Sequence, residues 1–336
     1  MAKKIIFSEG GSCEYVFPAI AIANALKEIN PEVSILFVGA KGKIEMEKVP
    51  KAGYPIKGLW ISGFHRKLTL RNLLFPFKLM HSLIRAGIIL RQFKPNVVVG
   101  VGGFASGPVL EMASRMRIPS LVQEQNSYAG LTNKLLAKKV DKICVAYENM
   151  ERFFQKEKII LTGNPVRKDL KLAAQNRAEA LAHFGLDPNK KTIFVFGGSL
   201  GAKSINEAMA ANATLLEKQQ DIQVFWQCGK LYLEQFSGCS TASLPNVKIT
   251  AFVDRMDLAY AMADVVICRA GALTIAELSL LGKAAILIPS PNVAEDHQTA
   301  NAKALVEQEA ALMLKDAEAK EKIILTALEV LRNEPL

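Results

Sequence analysis

Residues 96–125 read NVVVGVGGFASGPVLEMASRMRIPSLVQEQ. Asn96–Val101 is a continuous β-branched run around Val97-Val98-Val99 with no polar alternation, so it reads as a strand of a parallel sheet buried on both faces. A glycine-rich turn leads into a helix over Pro108–Arg115, and Ser120–Gln123 is the next strand. A strand, a crossover helix and a second strand predict an α/β fold, because parallel neighbours cannot be joined by a tight turn.

The same alternation extends both ways. Ile5–Ser8, Val33–Val38 and Lys142–Ala146 read as further strands, with helices near Pro18–Ile29, Leu70–Phe93 and Leu131–Leu136. A second series starts after the turn Thr162-Gly163-Asn164-Pro165. Its strands are Thr192–Phe196, Gln223–Trp226, Val247–Thr250, Val265–Cys268 and Ala285–Pro289, with helices near Ala202–Leu216, Leu273–Leu281, Gln298–Gln308 and Ala317–Arg332. The polar stretch Asn176–Lys190 reads as a surface excursion. At roughly 150 residues per domain, 336 residues suggest two domains. The expected division is 1–163 and 164–336, two doubly wound Rossmann-like domains facing each other across a cleft.

Half of the chain is hydrophobic and the mean hydropathy is +0.16, which excludes a disordered or fibrous polymer. The five cysteines (Cys13, Cys144, Cys228, Cys239, Cys268) form no C-x-x-C pair, so they argue for a reducing compartment and against structural zinc. No signal peptide fits Met1–Gly11, and no run of about 18 uncharged apolar residues occurs. The charge is lopsided: residues 1–163 carry 24 Lys+Arg against 12 Asp+Glu, and residues 164–336 carry 18 against 20. Ten basic residues and no carboxylate lie between Lys48 and Leu110. Within that stretch, residues 64–94 read FHRKLTLRNLLFPFKLMHSLIRAGIILRQFK. Lys78 and Arg85 share a helix face, which Arg71 extends only if Pro76 kinks the helix instead of starting it. Leu74, Phe77, Leu79, Leu83 and Ile88 supply apolar surface. Three readings stand: a helix with a solvated basic edge, an interfacial membrane patch, and nucleic-acid binding. The last lacks interleaved stacking aromatics.

Four glycine-rich loops follow strands: Gly10–Ala19, Gly100–Pro108, Gly197–Ala202 and Arg269–Thr274. Glycine lets the backbone approach a phosphate, and a helix N-terminus supplies unpaired N–H donors. Pro18 suits the first turn of a helix. No G-x-x-x-x-G-K-[ST] is present, against a P-loop nucleotidase. Gly100–Ala105 matches G-x-G-x-x-A with Glu124 about 20 residues on, but not in the first β-α unit, which weakens a dinucleotide reading.

Taken together, GVGGFASGP (100–108), QEQNSYAGLTNKLLAK (123–138), LTGNPVR (161–167), GGSLGAKSIN (197–206), CRAGALTIAEL (268–278) and EDHQTANA (295–302) closely resemble the MurG family of glycosyltransferases. The resemblance covers nearly the whole chain. It implies a GT-B architecture and an inverting transfer of N-acetylglucosamine from UDP-N-acetylglucosamine to lipid I, the undecaprenyl-diphosphate-linked muramyl pentapeptide, without a catalytic metal. It implies donor contacts from Ser12, Cys13, Glu14, Asn126, Arg167, Ser199, Val253, Ala272, Leu273, Thr274, Ile275, Ala276, Glu277 and Gln298. Glu277 would accept from the ribose hydroxyls, Val253 would meet uracil through its backbone, and Gln298 and Asn126 would contact the sugar. Gly102, Gly103 and Ser106 would line the acceptor diphosphate. Phe64, Arg66, Lys67, Arg71, Leu74, Phe75, Phe77, Lys78 and Arg85 would form a patch on anionic phospholipid, making the protein peripheral on the cytoplasmic face of the inner membrane. Other cell-wall synthesis proteins are candidate partners and nucleic acid is not. For single residues the plainer alternatives stay open: a surface carboxylate at Glu277, and an Arg167–Asp169 ion pair.

In that family the first loop reads G-G-T-G-G-H, where this chain has Gly10-Gly11-Ser12-Cys13-Glu14-Tyr15. The histidine is the usual base for the acceptor hydroxyl, so Tyr15 and Glu14 stand as the replacements. The family also continues into a last helix, expected to be missing after Leu336. The alternatives are a homologue that binds UDP-sugar without efficient transfer, and a UDP-sugar epimerase of the same fold.

Overall fold

The structure is a computed structural model that describes residues 3–63, 74–166, 170, 176–293 and 296–333. The chain parts into two compact units, Met1–Val166 and Arg167–Leu336. In the first, seven strands form one parallel sheet: β1 (Lys4–Ser8), β2 (Ser34–Ala40), β3 (Ile56–Leu59), β4 (Val97–Gly100), β5 (Ser120–Glu124), β6 (Lys142–Val145) and β7 (Ile159–Leu161). Their spatial order is β3-β2-β1-β4-β5-β6-β7. In the second, β8 (Lys191–Phe196), β9 (Ile222–Gln227), β10 (Val247–Thr250), β11 (Val265–Cys268), β12 (Ala284–Leu287) and β13 (Leu312–Met313) run in the order β10-β9-β8-β11-β12-β13. This is the doubly wound GT-B pattern in both units.

Period-two alternation explains why each sheet is buried twice. Ile6 pairs with Leu36 and Val98, and these side chains join a core with Ile89, Leu90 and Leu110. The next residues, Phe7, Phe37 and Val99, point to the opposite face, where Val16, Ala19 and Ala23 of the helix Cys13–Ile29 cover them. Phe7 and Phe37 stack at 5.3 Å. In the second unit Val195, Trp226 and Ile267 share a core with Ile323 and Ala327, while Phe194 and Phe196 meet Tyr260 on the other face.

Several boundaries differ from expectation. The first helix begins at Cys13, which leaves Pro18 inside it. Proline there removes the N–H that would bond the Glu14 carbonyl. Pro76 sits in the first turn of Phe75–Phe93 and starts that helix. Asn176–Lys190 is no mere excursion: Asn176 caps the helix Arg177–Phe184 by accepting from the Glu179 N–H at 3.2 Å. The span Ala202–Leu216 breaks into Lys203–Ala210 and Ala213–Glu217.

A doubly wound sheet binds ligands where successive crossovers leave in opposite directions. In the first unit that switch point lies between β1 and β4, and in the second between β8 and β11. The four glycine loops are the four segments that leave the carboxyl ends of those strands.

Candidate active-site loops

In the first unit the β1 and β4 loops touch backbone to backbone. Gly103 has φ +76, and a Cβ there would lie 1.9 Å from the Gly10 carbonyl oxygen. Glycine at 103 is therefore required by loop packing, whatever it does for a ligand. Ser106 is fully buried, its hydroxyl 2.7 Å from the carbonyl oxygens of both Ser8 and Gly102. Its side chain ties the two loops together. The Tyr15 ring lies against Gly102, and both line a hollow of about 90 Å³ with Gly103, Glu124, Leu131 and Asn133.

Carboxylates converge behind these loops. Glu124 is buried and accepts from Asn133 Nδ2 at 2.9 Å, Gly130 N at 3.0 Å and Asn126 N at 3.2 Å. Its oxygens hold its own loop, which disposes of a ribose-binding role in a dinucleotide site. Burial pushes its carboxyl upward, against those hydrogen bonds and with the Glu14 charge. Glu14 also lifts the buried Tyr147 phenol, after burial itself. Ser12 caps the first helix, its carbonyl accepting from Tyr15 N at 3.2 Å and Val16 N at 3.3 Å. Cys13 enters only as the first residue of that helix. Asn126 is buried. Asn164 of the TGNP turn donates to the Gln125 carbonyl at 2.9 Å and accepts from Gln123 at 2.9 Å, pinning the chain to the end of β5.

Sequence reasoning passed over Glu9. It is fully buried, neither carboxylate oxygen has a hydrogen-bond partner, and burial together with the Glu45 charge pushes its pKa up to about 8. Glu45 accepts from Ala40 N at 3.0 Å and Gly11 N at 3.3 Å, so it staples the same loop. A carboxylate closing an apolar strand was the available signal.

In the second unit the helix Ala272–Leu281 begins at Gly271, whose lack of a side chain leaves the first-turn N–H groups without a side-chain cap. Glu277 is 6% exposed and accepts from the Tyr260 hydroxyl at 2.9 Å, so it is not a surface carboxylate. Ile275 is buried and its N–H goes to the Gly271 carbonyl at 3.0 Å. Its side chain is thus taken up by the core and its amide by the helix. Ala272 is also buried, while Leu273, Thr274 and Ala276 are half-buried. The Val253 N–H donates to Gln227 Oε1 at 3.1 Å, which leaves its carbonyl for a base. Gln298 accepts from Ser290 N at 2.9 Å through Oε1, leaving its Nε2 as donor. Ser199 is exposed. Arg167 lies outside the described residues. Arg269, never singled out from sequence, is enclosed by acceptors on Ser204, Ile288, Pro289 and Asp316.

The helix Phe75–Phe93 exposes Phe77, Met80, Ile84 and Ile88, a single apolar stripe at steps of three and four residues. Leu74 extends it and Arg85 and Arg91 flank it as exposed basic residues. Lys78 is not on that face: its Nζ donates to Ser62 at 3.1 Å and lies 5.8 Å from the Trp60 ring centroid. Leu79 packs against the core, and Phe75 and Leu83 are half-buried. Phe64, Arg66, Lys67 and Arg71 lie outside the described residues. Among the described residues no helix is long and apolar enough to cross a membrane.

Residues 5–145 match the glycosyltransferase family 28 N-terminal domain and residues 192–336 its C-terminal domain. A Flavobacterium psychrophilum protein named UDP-N-acetylglucosamine–N-acetylmuramyl-(pentapeptide) pyrophosphoryl-undecaprenol N-acetylglucosamine transferase is 57% identical over 94% of this chain and 85% of its own length. A Bacteroides fragilis protein of the same name is 53% identical over 99% of this chain and 88% of its own. The crystal structure of Acinetobacter baumannii MurG superposes with a TM-score of 0.77 at 28% identity, covering 99% of this chain and 91% of that one. The chain belongs to glycosyltransferase family 28 and, within it, to the MurG family of N-acetylglucosaminyltransferases.

Proposed function

We propose that this chain transfers N-acetylglucosamine from UDP-N-acetylglucosamine, with inversion, to the lipid-linked muramyl pentapeptide of peptidoglycan synthesis. The observation that carries the reading is the 57% identity over 94% of the chain to a protein named for that transfer. The four glycine loops at two switch points support it.

The second unit takes the donor. The N–H groups of Ala272, Leu273 and Thr274 meet the diphosphate at the positive end of a helix dipole. Glu277, oriented by Tyr260, accepts from the ribose hydroxyls. The Val253 carbonyl reads the uracil edge, Gln298 Nε2 donates to the sugar, and Ser199 and Arg167 add donors at the phosphates. Charge that develops on departing UDP is met by Arg167 and the helix N-terminus, an electrostatic role of the kind that dominates many transfers. The first unit takes the acceptor: the Gly102–Gly103 loop holds its diphosphate, and Ser12, Cys13, Glu14 and Asn126 are that unit's own contacts to the sugar nucleotide. The acceptor hydroxyl loses its proton to the Glu14 carboxylate or to Tyr15 as its phenolate, the two groups available where the family carries histidine.

The exposed stripe of Phe75–Phe93, flanked by Arg85 and Arg91, supports docking on an anionic membrane at its cytoplasmic face, where the lipid acceptor resides. The test is incubation with UDP-N-acetylglucosamine and a lipid I analogue, with products weighed by mass spectrometry. A lipid heavier by one N-acetylhexosamine supports the reading. An epimerised sugar nucleotide beside unchanged lipid overturns it.

A further inference from the structure

Arg269 follows β11 directly, at the start of the fourth glycine-rich loop. Its guanidinium is taken up by the protein. Nη1 donates to the carbonyl oxygens of Ile288 at 3.0 Å and Pro289 at 3.2 Å and to Asp316 Oδ1 at 2.5 Å, while Nη2 donates to Ser204 Oγ at 2.7 Å. Ser204 in turn donates to Asp316 Oδ1 at 2.7 Å. The side chain is 14% exposed and its ion-pair partner 22%.

The acceptors come from three separate segments. Ser204 lies in the first turn of the helix that follows Gly197–Ala202, Ile288 and Pro289 leave β12, and Asp316 precedes the last helix. Arg269 itself stands two residues before Gly271, where the helix Ala272–Leu281 begins. The next residue after Pro289, Ser290, donates its N–H to Gln298. One planar fork with fixed donor directions therefore sets the spacing of Ser199, the Ala272–Thr274 amides and Gln298.

We infer that Arg269, held by Asp316 and Ser204, is a positioning residue for the donor: it touches no substrate and fixes the Ser199, Ala272–Thr274 and Gln298 segments that do. The inference rests on the donor reading above. A donor that contacts all three segments binds well only when they are registered to within a fraction of an ångström, so a slack fork weakens binding with little effect on the chemical step.

The test compares the unaltered protein with Asp316→Asn, Arg269→Lys and Ser204→Ala. The readouts are UDP affinity by calorimetry, donor KM, acceptor KM, kcat and thermal midpoint. Asp316→Asn and Arg269→Lys are expected to weaken UDP and raise donor KM by about tenfold or more, and Ser204→Ala by about threefold, with kcat and acceptor KM within about twofold. Unchanged UDP affinity in the folded Asp316→Asn and Arg269→Lys variants overturns the inference. So does a uniform loss of kcat and both affinities that tracks the thermal midpoint. Should the unaltered protein fail to bind UDP, the donor reading falls instead, and this inference with it.

Discussion

Glu9→Gln should change the pH dependence of stability in a direction fixed by the structure. Glu9 is fully buried with neither oxygen paired, and its pKa is pushed from 4.5 to about 8, first by burial and then by Glu45. The folded state therefore binds the proton more tightly than the unfolded chain. The contribution of Glu9 to unfolding free energy is fully present below pH 4.5, falls as pH rises, and levels out above pH 8. At about 1.36 kcal/mol per unit the ceiling is about 5 kcal/mol, and relaxation around the ionised group brings the measured value below it. Glutamine keeps the shape without the titration, so the variant's stability should lack this descent and overtake the parent's progressively toward pH 8. Glu9→Met, which also removes the unpaired polar atoms, should be the more stable at every pH. The assay is urea unfolding at pH 5, 6, 7 and 8. The chain has two tryptophans, and Trp226→Phe leaves Trp60 as the reporter of the first unit. Curves for parent and Glu9→Gln that stay parallel across this range would refute the reasoning.

Other outcomes follow from the same geometry. Glu277→Ala removes a charge-assisted acceptor worth about 1.5–3 kcal/mol, so donor KM should rise about 10- to 150-fold with acceptor KM unmoved. Of Glu14→Gln and Tyr15→Phe, the variant that removes the base should lower kcat by about 10²–10⁴ and flatten the acid side of the rate profile, while the other leaves that limb in place. Phe77→Ser with Ile84→Ser removes two exposed apolar anchors worth about 1.5–3 kcal/mol each when buried, so partitioning onto anionic vesicles should drop at least about 100-fold. Arg85→Gln should cost about fivefold, an effect that fades as salt is raised. Sedimentation with vesicles of defined composition checks both.

The fold was legible because its central strands are apolar on both faces: Val97–Val99 and Val265–Ile267 admit little else. The edges were not. Ile56–Leu59, Ile159–Leu161 and Leu312–Met313 are short and half-exposed at the rims, so they lack the continuous burial that marks the middle of a sheet. Glycine spacing located the four loops, but sequence could not say which atoms they leave for a ligand. The Ser106 hydroxyl and the Val253 and Ile275 amides are consumed by the scaffold, and only packing decides that. On Phe75–Phe93, charge spacing drew attention to Lys78, whereas burial of Ala86, Ile89 and Leu90 in the core set the helix's rotation and exposed Met80 and Ile84 instead. Arg269 and Glu9 escaped notice for one reason: each acts through partners distant in sequence, Arg269 with Asp316 and Glu9 with Glu45.

The most direct measurement is transfer of labelled N-acetylglucosamine from UDP-N-acetylglucosamine to a lipid I analogue by the chain with its first loop as it stands, alongside a variant carrying Thr-Gly-Gly-His at 12–15. Steady turnover to a β-linked lipid product, abolished by one of Glu14→Gln and Tyr15→Phe, is the expected result. UDP binding with no label in the lipid, recovered only in the Thr-Gly-Gly-His variant, would contradict the assignment of catalysis to this loop.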